Sequence, residues 1–188
     1  VQQGPVVFEV QKQLVPLLKQ SGVPGVVARG ETLPACDLQI PLLSMPLAFG
    51  TKYDAVPCDI PYLSADSRLV DHWRTILADN DKFKVAIAWQ GSVTYRSDRF
   101  RSIPLQQYAP LAIDGVQLIS VQRGPGSEQI DELEHPFPVR TLGESFDRDH
   151  GAFMDTAAVF KNVDLVITSD TSVAHLAGAL GVPTWVAL

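Results

Sequence analysis

The stretch Asp164–Leu188, DLVITSDTSVAHLAGALGVPTWVAL, indicates the fold more clearly than any other part of the sequence. An apolar run, Leu165–Thr168, leads into polar residues, and the alanine-rich segment Val173–Leu180 that follows has the length of a helix. Thr184–Leu188 then has the pattern of a second strand. A strand, a helix and a strand in this order predict parallel pairing, because the helix returns the chain to the same end of the sheet.

The same alternation extends upstream. We predict strands at Val85–Trp89, Val116–Val121 and Val139, and helices at Leu105–Ala112, Glu128–Leu133 and Phe153–Phe160. Each crossover helix must cover one face of the sheet. Residues 67–188 are therefore predicted to form a doubly wound, Rossmann-like α/β domain.

The first third of the chain has a weaker version of this pattern. We predict strands at Val6–Val10, Val26–Ala28 and Asp37–Leu43, and a helix at Gln13–Leu18. Prolines and Gly50 break the stretch Pro41–Pro61, which predicts a long loop, and Ser67 is the expected cap of the next helix. We place a domain boundary there, with residues 1–66 as part of a second Rossmann-like domain. Since the chain begins and ends on strands, we expect it to be part of a longer protein.

Composition narrows the class of protein. The 188 residues are 46% hydrophobic and 19% charged, which is typical of a globular domain, and no apolar run has the length of a membrane helix. The net charge of -6 argues against a nucleic-acid surface. Cys36 and Cys58 have no neighbours at zinc-ligand or disulfide-framework spacing, and no secretion signal is present, so we predict a cytoplasmic location.

Three polar loops follow predicted strands, and in a parallel sheet such loops share one edge. The first, Gln90–Pro104, offers Gly91 for close backbone approach, the hydroxyl of Ser92, and arginines that can bind phosphate. We predict a diphosphate site here. The alternative is a surface loop whose arginines pair with Asp98.

The second loop, Gln122–Glu128, contains Gly124 and Gly126 and ends where Ser127 is expected to cap a helix. Helix starts present free amides, so this turn is a candidate for nucleoside contacts. A simple tight turn is the alternative.

The third loop gives the strongest prediction. Thr171 and Ser172 are expected at the start of a helix, where amides and hydroxyls can bind an anion, and His175 follows one turn later. The alternative is that Asp170 and Ser169 cap the helix and that His175 is partly buried and satisfied.

Other chemistries are disfavoured. Asp147, Asp149, His150 and Asp155 lack a tight metal-ligand pattern, and we interpret them as helix-start and solvent charges, with no metal site. The sequence contains no Gly-x-Ser-x-Gly elbow, no Walker loop and no complete GxGxxG. Hydrolase, ATPase and dehydrogenase functions are therefore disfavoured.

The stretch quoted first resembles the signature of the glycosyltransferase family that contains the lipopolysaccharide heptosyltransferases. Further segments resemble a bacterial subgroup in which such a domain follows tetratricopeptide repeats: EVQ at 9–11, PLLSMPLAFGT at 41–51, AIAWQGSVTYRSDRFRSIPL at 86–105 and GAFMDTAAV at 151–159.

The resemblance implies a GT-B architecture, with two Rossmann-like domains facing a cleft and the donor on the C-terminal one, and it implies no metal or cofactor. The donor-binding residues that it implies are Gln90, Gly91, Ser92, Arg101, Gln122, Gly124, Glu128, Asp170, Thr171, Ser172 and His175. In the family a glycine-rich motif carrying the proposed acidic base precedes the region where this chain begins. His175 is the catalytic candidate within the chain.

We therefore predict an inverting, metal-independent glycosyltransferase that moves a sugar from a nucleotide-diphosphate donor to a lipopolysaccharide, protein or glycan hydroxyl. A non-catalytic binding module attached to tetratricopeptide repeats is the alternative, and a sugar-nucleotide epimerase is a third reading. The motifs do not identify the nucleotide, the sugar, the acceptor or the oligomeric state.

Overall fold

The structure is a computed structural model that describes residues 4–57, 59–78 and 81–188, so Cys58 lies outside the described residues. The strands, in chain order, are β1 Phe8–Val10, β2 Val26–Ala28, β3 Phe83–Ala88, β4 Val116–Ser120, β5 Val139–Arg140, β6 Leu165–Ser169 and β7 Thr184–Ala187. The α-helices are α1 Val15–Gln20, α2 Met45–Ala48, α3 Ser67–Leu77, α4 Met154–Phe160 and α5 Ser172–Ala179. Within these described ranges, no helix is long and apolar enough to cross a membrane.

The larger sheet has five strands in the spatial order β5-β4-β3-β6-β7, and every pair is parallel. β3 is central, with Val85 opposite Leu118 of β4 on one side and Leu165 of β6 on the other. This order is that of a Rossmann-like half-fold, so the predicted doubly wound parallel sheet is confirmed.

The two faces of the sheet bury alternate residues of β3. Val85 and Ile87 pack with Leu105 and Tyr108 on one face, whereas Ala86 packs into a separate cluster on the other. Alternation follows from the pleat, since successive side chains point to opposite faces.

Helices α3, α4 and α5 cover one face. They contribute Trp73, Leu77, Phe160 and Leu176 to the same buried cluster. The other face is covered by a 3-10 segment, Leu105–Leu111. The sheet is therefore buried on both sides, as an all-parallel sheet requires.

A separate two-stranded parallel sheet, β1 with β2, lies in the N-terminal part. Leu17 of α1 nevertheless belongs to the core cluster that contains the helices of the larger sheet. The amide of Tyr62 donates to the carbonyl of Ala179 at 3.0 Å. Residues before 67 are thus packed and hydrogen-bonded onto the larger sheet unit.

Three predicted elements are wrong or altered. Asp37–Leu43 is not a strand: it has no regular structure before a 3-10 turn that begins at Leu42, and Leu38 is 90% exposed. Pro41, inside this stretch, lacks the amide that a ladder needs. The helix predicted at Glu128–Leu133 is only a 3-10 turn, Ser127–Ile130, and Leu105–Leu111 is a 3-10 helix because Pro110 lies inside it.

Two predicted caps are also wrong. The residue that caps α3 is Asp66, whose side chain accepts from the amides of Arg68 and Leu69 at 2.8 and 3.3 Å, and Ser67 is the first residue of the helix. The hydroxyl of Ser127 donates backwards, to the carbonyl of Gly124 at 2.7 Å, and caps nothing.

The acidic residues near the start of α4 were predicted to be helix-start and solvent charges, and Asp147 and Asp155 are helix-start groups that do not stand free in solvent. Asp155 is buried, and its carboxylate accepts from Trp73 Nε1 at 2.8 Å, from the Asp147 amide at 2.9 Å and from His150 Nδ1 at 3.1 Å. Asp147 in turn accepts from the amides of Asp155 and Thr156 and from the Thr156 hydroxyl. Only Asp149 is a solvent charge, as predicted. The carboxylate of Asp147 satisfies amides at the start of α4, and the buried carboxylate of Asp155 ties α4 to α3.

Candidate functional site

The carboxyl ends of β3, β4 and β6 are adjacent, because β3 pairs with both of the other strands. From β3 the chain extends first to β4 and β5 on one side and later to β6 and β7 on the other. Ligands of doubly wound sheets bind where the strand order reverses in this way. The three loops of the sequence analysis therefore meet at one edge, which we call the rim (residues 89–104, 121–128 and 169–175).

The first loop is anchored where it leaves β3. Trp89 is buried, and its carbonyl accepts from the Ile103 amide at 2.9 Å, so the loop closes on its own base. The hydroxyl of Tyr108 donates to the carbonyl of Ala88 at 3.2 Å, and burial raises the pKa of Tyr108 to about 12. This tyrosine is therefore a neutral donor that fixes the end of β3.

Arg101 joins the first loop to the third. Its Nε donates to Asp98 Oδ1 at 3.0 Å, and its Nη1 donates to the carbonyl of Asp170 at 2.9 Å. The guanidinium carbon also lies 4.6 Å from the ring centroid of Tyr95. The expected pairing with Asp98 is present for Arg101, and the same side chain reaches the loop after β6.

Gly91 and Ser92 were predicted to line a phosphate site, and in this structure both make hydrogen bonds within the first loop. The Gly91 amide donates to Ser102 Oγ at 3.1 Å. A methyl group at Gly91 would come within 2.5 Å of Arg101 Nη2 and closer still to Asp98 Oδ1. Glycine is needed here to make room for the ion pair. Ser92 is exposed and its hydroxyl lies 2.8 Å from that of Thr94.

Gln122 connects the first and second loops. Its Oε1 accepts from the amides of Trp89 and Gln90, each at 3.1 Å, and its Nε2 donates to the carbonyls of Gln90 and Pro125 at 3.0 and 2.8 Å. Gln90 Oε1 accepts in turn from Gln129 Nε2 at 2.8 Å. In this structure both amides shape the rim rather than stand free at its surface.

The second loop is a tight turn, as the alternative reading expected. Both Gly124 and Gly126 have positive φ, 68° and 92°, and a methyl group at Gly126 would lie 2.7 Å from Gln90 Oε1. The Glu128 carboxylate accepts from the Gly126 amide at 2.8 and 2.9 Å. Gly124 is exposed at the tip of the turn.

The third loop leaves the start of α5 open. No side chain of the described residues caps this helix, and neither Ser169 nor Asp170 does so. Thr171 is buried, whereas Ser172 and His175 are exposed. The alternative reading of capping residues and a buried histidine therefore does not describe this loop.

Two groups at the rim have features that the sequence analysis did not predict: the burial of Asp98 and the hydroxyl of Ser169, which is unpaired among the described residues. Asp98 is buried although both of its neighbours in sequence are exposed, and Ser102 Oγ donates to Asp98 Oδ2 at 2.8 Å while accepting from the Gly91 amide. Ser169 is buried at the end of β6, and its hydroxyl makes no hydrogen bond with the described residues. The three-residue spacing of Asp98 and Arg101 was the only available signal.

Residues 4–57, 59–78 and 81–188 contain no group of three or more His, Cys, Asp or Glu side chains placed to hold a metal ion. Cys36 is exposed and free.

Comparisons with known proteins found a weak similarity among solved structures and no match elsewhere. No protein-family model matches the chain, and no curated protein matches it. Among solved structures, the chain is similar to the E. coli heptosyltransferase WaaC with ADP-2-deoxy-2-fluoro heptose, at 18% identity and a TM-score of 0.43. The match covers 62% of this chain and spans 36% of the length of that chain. At this level of similarity, the assignment of a function depends on the geometry of the rim.

Proposed function

We propose that this chain forms the donor-binding part of a glycosyltransferase that uses a nucleotide-diphosphate sugar. The observation that carries the proposal is the contact between Arg101 and the carbonyl of Asp170, which places a cation beside the open start of α5. A guanidinium and uncapped helix amides at the switch point of a parallel sheet are suited to a diphosphate.

The chemistry follows from the charge of the leaving group. The bond between the anomeric carbon and the diphosphate oxygen breaks as the acceptor oxygen attacks from the opposite face, and a base takes the acceptor proton. Negative charge then grows on the diphosphate, where Arg101 and the amides of Thr171 and Ser172 stabilise it without a metal. The chain has a net charge of -6, so its overall electrostatic field repels an anionic donor. The positive charge of Arg101 must outweigh this repulsion at the rim.

The remaining rim residues receive supporting roles in this proposal. His175, exposed one turn into α5, contacts the sugar or the distal phosphate. Gly124 offers its backbone to the nucleoside, while Gln122 and Glu128 hold the second loop in shape. In this proposal the acidic base comes from outside the rim, as the family resemblance implies.

Titration of ADP-, UDP- and GDP-sugars by calorimetry tests the donor site. We expect one of these donors to bind, and Arg101→Ala to weaken it by about 2 kcal/mol, roughly thirtyfold, through the loss of charge-assisted hydrogen bonds. Arg99→Ala is the matched control, since Arg99 is exposed on the same loop and lies over Phe100. Failure of every donor to bind, or equal affinity of the Arg101 variant, contradicts the donor site.

A turnover assay with the full-length protein then separates the three activities. Sugar transfer requires both donor and acceptor. An epimerase changes the donor without an acceptor, and a non-catalytic module binds the donor without consuming it.

A further inference from the structure

Asp98 is a buried carboxylate between exposed residues, 92–97 on one side and 99–100 on the other. It is 8% exposed, whereas its neighbours Ser97 and Arg99 are both exposed. Burial of a carboxylate is unfavourable unless hydrogen-bond or ionic partners satisfy it. Asp98 therefore does not serve simply as a solvating charge on a surface loop.

The two oxygens of Asp98 hold two different parts of the rim. Oδ1 accepts from Arg101 Nε at 3.0 Å, and Oδ2 accepts from Ser102 Oγ at 2.8 Å. The same Ser102 oxygen accepts from the amide of Gly91 at 3.1 Å. One side chain thereby fixes the guanidinium relative to the residues that leave β3.

Arg101 is restrained on three sides as a result. Asp98 holds Nε, the carbonyl of Asp170 holds Nη1, and the ring of Tyr95 lies against the plane of the guanidinium. No described residue accepts a hydrogen bond from Nη2, which lies next to Gly91. A cation held in this way is ready to bind an anion without first losing side-chain freedom.

We propose that Asp98 is a positioning residue that holds the guanidinium of Arg101 at the junction of the first and third loops for recognition of a diphosphate. The proposal rests on the proposed function and adds to it a residue that contacts no substrate. Its charge alone would repel an anion. Any gain in affinity must therefore come from the orientation of Arg101.

A double-mutant cycle with inorganic pyrophosphate, measured by calorimetry on the purified chain, tests this role. Asp98→Ala should weaken pyrophosphate binding about tenfold when Arg101 is present and less than twofold in the Arg101→Ala background, because the effect passes through Arg101. Asp98→Asn keeps an oxygen for Arg101 Nε and should recover part of the affinity. Ser97→Ala, in the same turn and exposed, is the control and should change nothing.

Two further measurements separate positioning from simple stabilisation. In ligand-free protein, the Nε–Hε signal of Arg101 in a nitrogen–proton correlation spectrum should exchange slowly with solvent, and Asp98→Ala should abolish that protection. Gly91→Ala should also weaken binding, since the added methyl displaces the ion pair without removing a charge.

The outcomes are distinguishable. Equal losses from Asp98→Ala in both backgrounds, or affinity that rises on its removal, overturn the positioning role while leaving the donor site intact. Absence of pyrophosphate and donor binding by the unaltered protein overturns the proposed function, and with it the recognition role of Asp98.

Discussion

Helices α4 and α5 begin in opposite ways, although both start near buried polar residues. At α4, the carboxylate of Asp147 accepts from the amides of Asp155 and Thr156, so the chain itself satisfies the helix start. At α5, no side chain of the described residues caps the helix, and the exposed Ser172 is its first residue.

The difference distinguishes a structural helix start from one available to a ligand. The first amides of any helix need acceptors. Those of α4 find a carboxylate eight residues upstream and face the interior, where Trp73 donates to Asp155. Those of α5 face the rim beside Arg101. Only the second arrangement leaves donors for an anion, and this asymmetry can be tested at each helix.

The largest effect is expected at the closed start of α4. Asp155→Ala removes the acceptor of the buried Trp73 indole and of the Asp147 amide, and we expect the free energy of unfolding to fall by about 3 kcal/mol. Urea unfolding followed by tryptophan fluorescence measures it. Asp149→Ala, at an exposed neighbour, should change stability by less than about 0.5 kcal/mol. Comparable losses in the two variants would remove the distinction between the buried and the solvent carboxylate.

A smaller effect is expected when an acidic residue is placed at the first position of α5. Ser172→Asp should raise stability by about 0.5 kcal/mol through the helix dipole and should lower pyrophosphate affinity about tenfold by repulsion. Thermal unfolding and calorimetry measure the two changes, which should have opposite signs. Ser172→Asn introduces a side chain of the same size as aspartate but without its charge, and it serves as the control. Undiminished pyrophosphate affinity in the aspartate variant would mean that anions do not bind at this helix start.

The smallest expected effect is a change in stability with pH. Burial, reinforced by the charge of Asp155, raises the pKa of Asp147 above 3.8 despite hydrogen bonds from Thr156 and the Asp155 amide that lower it. The folded state therefore holds this proton more tightly than the unfolded state. The associated stability is complete below the unfolded pKa and is lost as pH rises through the folded pKa.

Asp147→Asn removes this titration. The free energy of unfolding of the variant minus that of the unaltered protein should therefore increase as pH rises from about 4 to neutrality, which means that the variant becomes relatively more stable. Chemical unfolding at several pH values measures the trend, with Asp149→Asn as the control. Parallel stability profiles for Asp147→Asn and the unaltered protein would contradict the shifted pKa.

The main sheet could be predicted because its signal is local. The central strands are continuous apolar runs bounded by polar turns, and the strands found at 83–88, 116–120 and 165–169 agree with the predicted ones within two residues. The strand predicted at 37–43 failed for the opposite reason. Its apolar residues have no partner strand, and a strand exists only as part of a ladder.

The predicted rim residues were brought to one edge of the sheet, but their hydrogen bonds could not be predicted. Gln122 was expected at a nucleoside, yet its amide is used by the backbones of Trp89, Gln90 and Pro125. Asp155 was expected among helix-start and solvent charges, and it lies in the first turn of α4, but no pattern indicated that it accepts from an indole 82 residues away in sequence. Sequence spacing carries no information about partners at such separations.

The sequence by itself determined the order of strands and helices, the parallel sheet and the place where polar loops collect. Periodicity and chain reversal act over a few residues, so they can be read along the chain. Only the tertiary structure decided which helix start is closed and which is open, and which carboxylate orients Arg101. Those choices depend on burial and on contacts between distant segments, because a polar group that leaves water must find its partner in three dimensions.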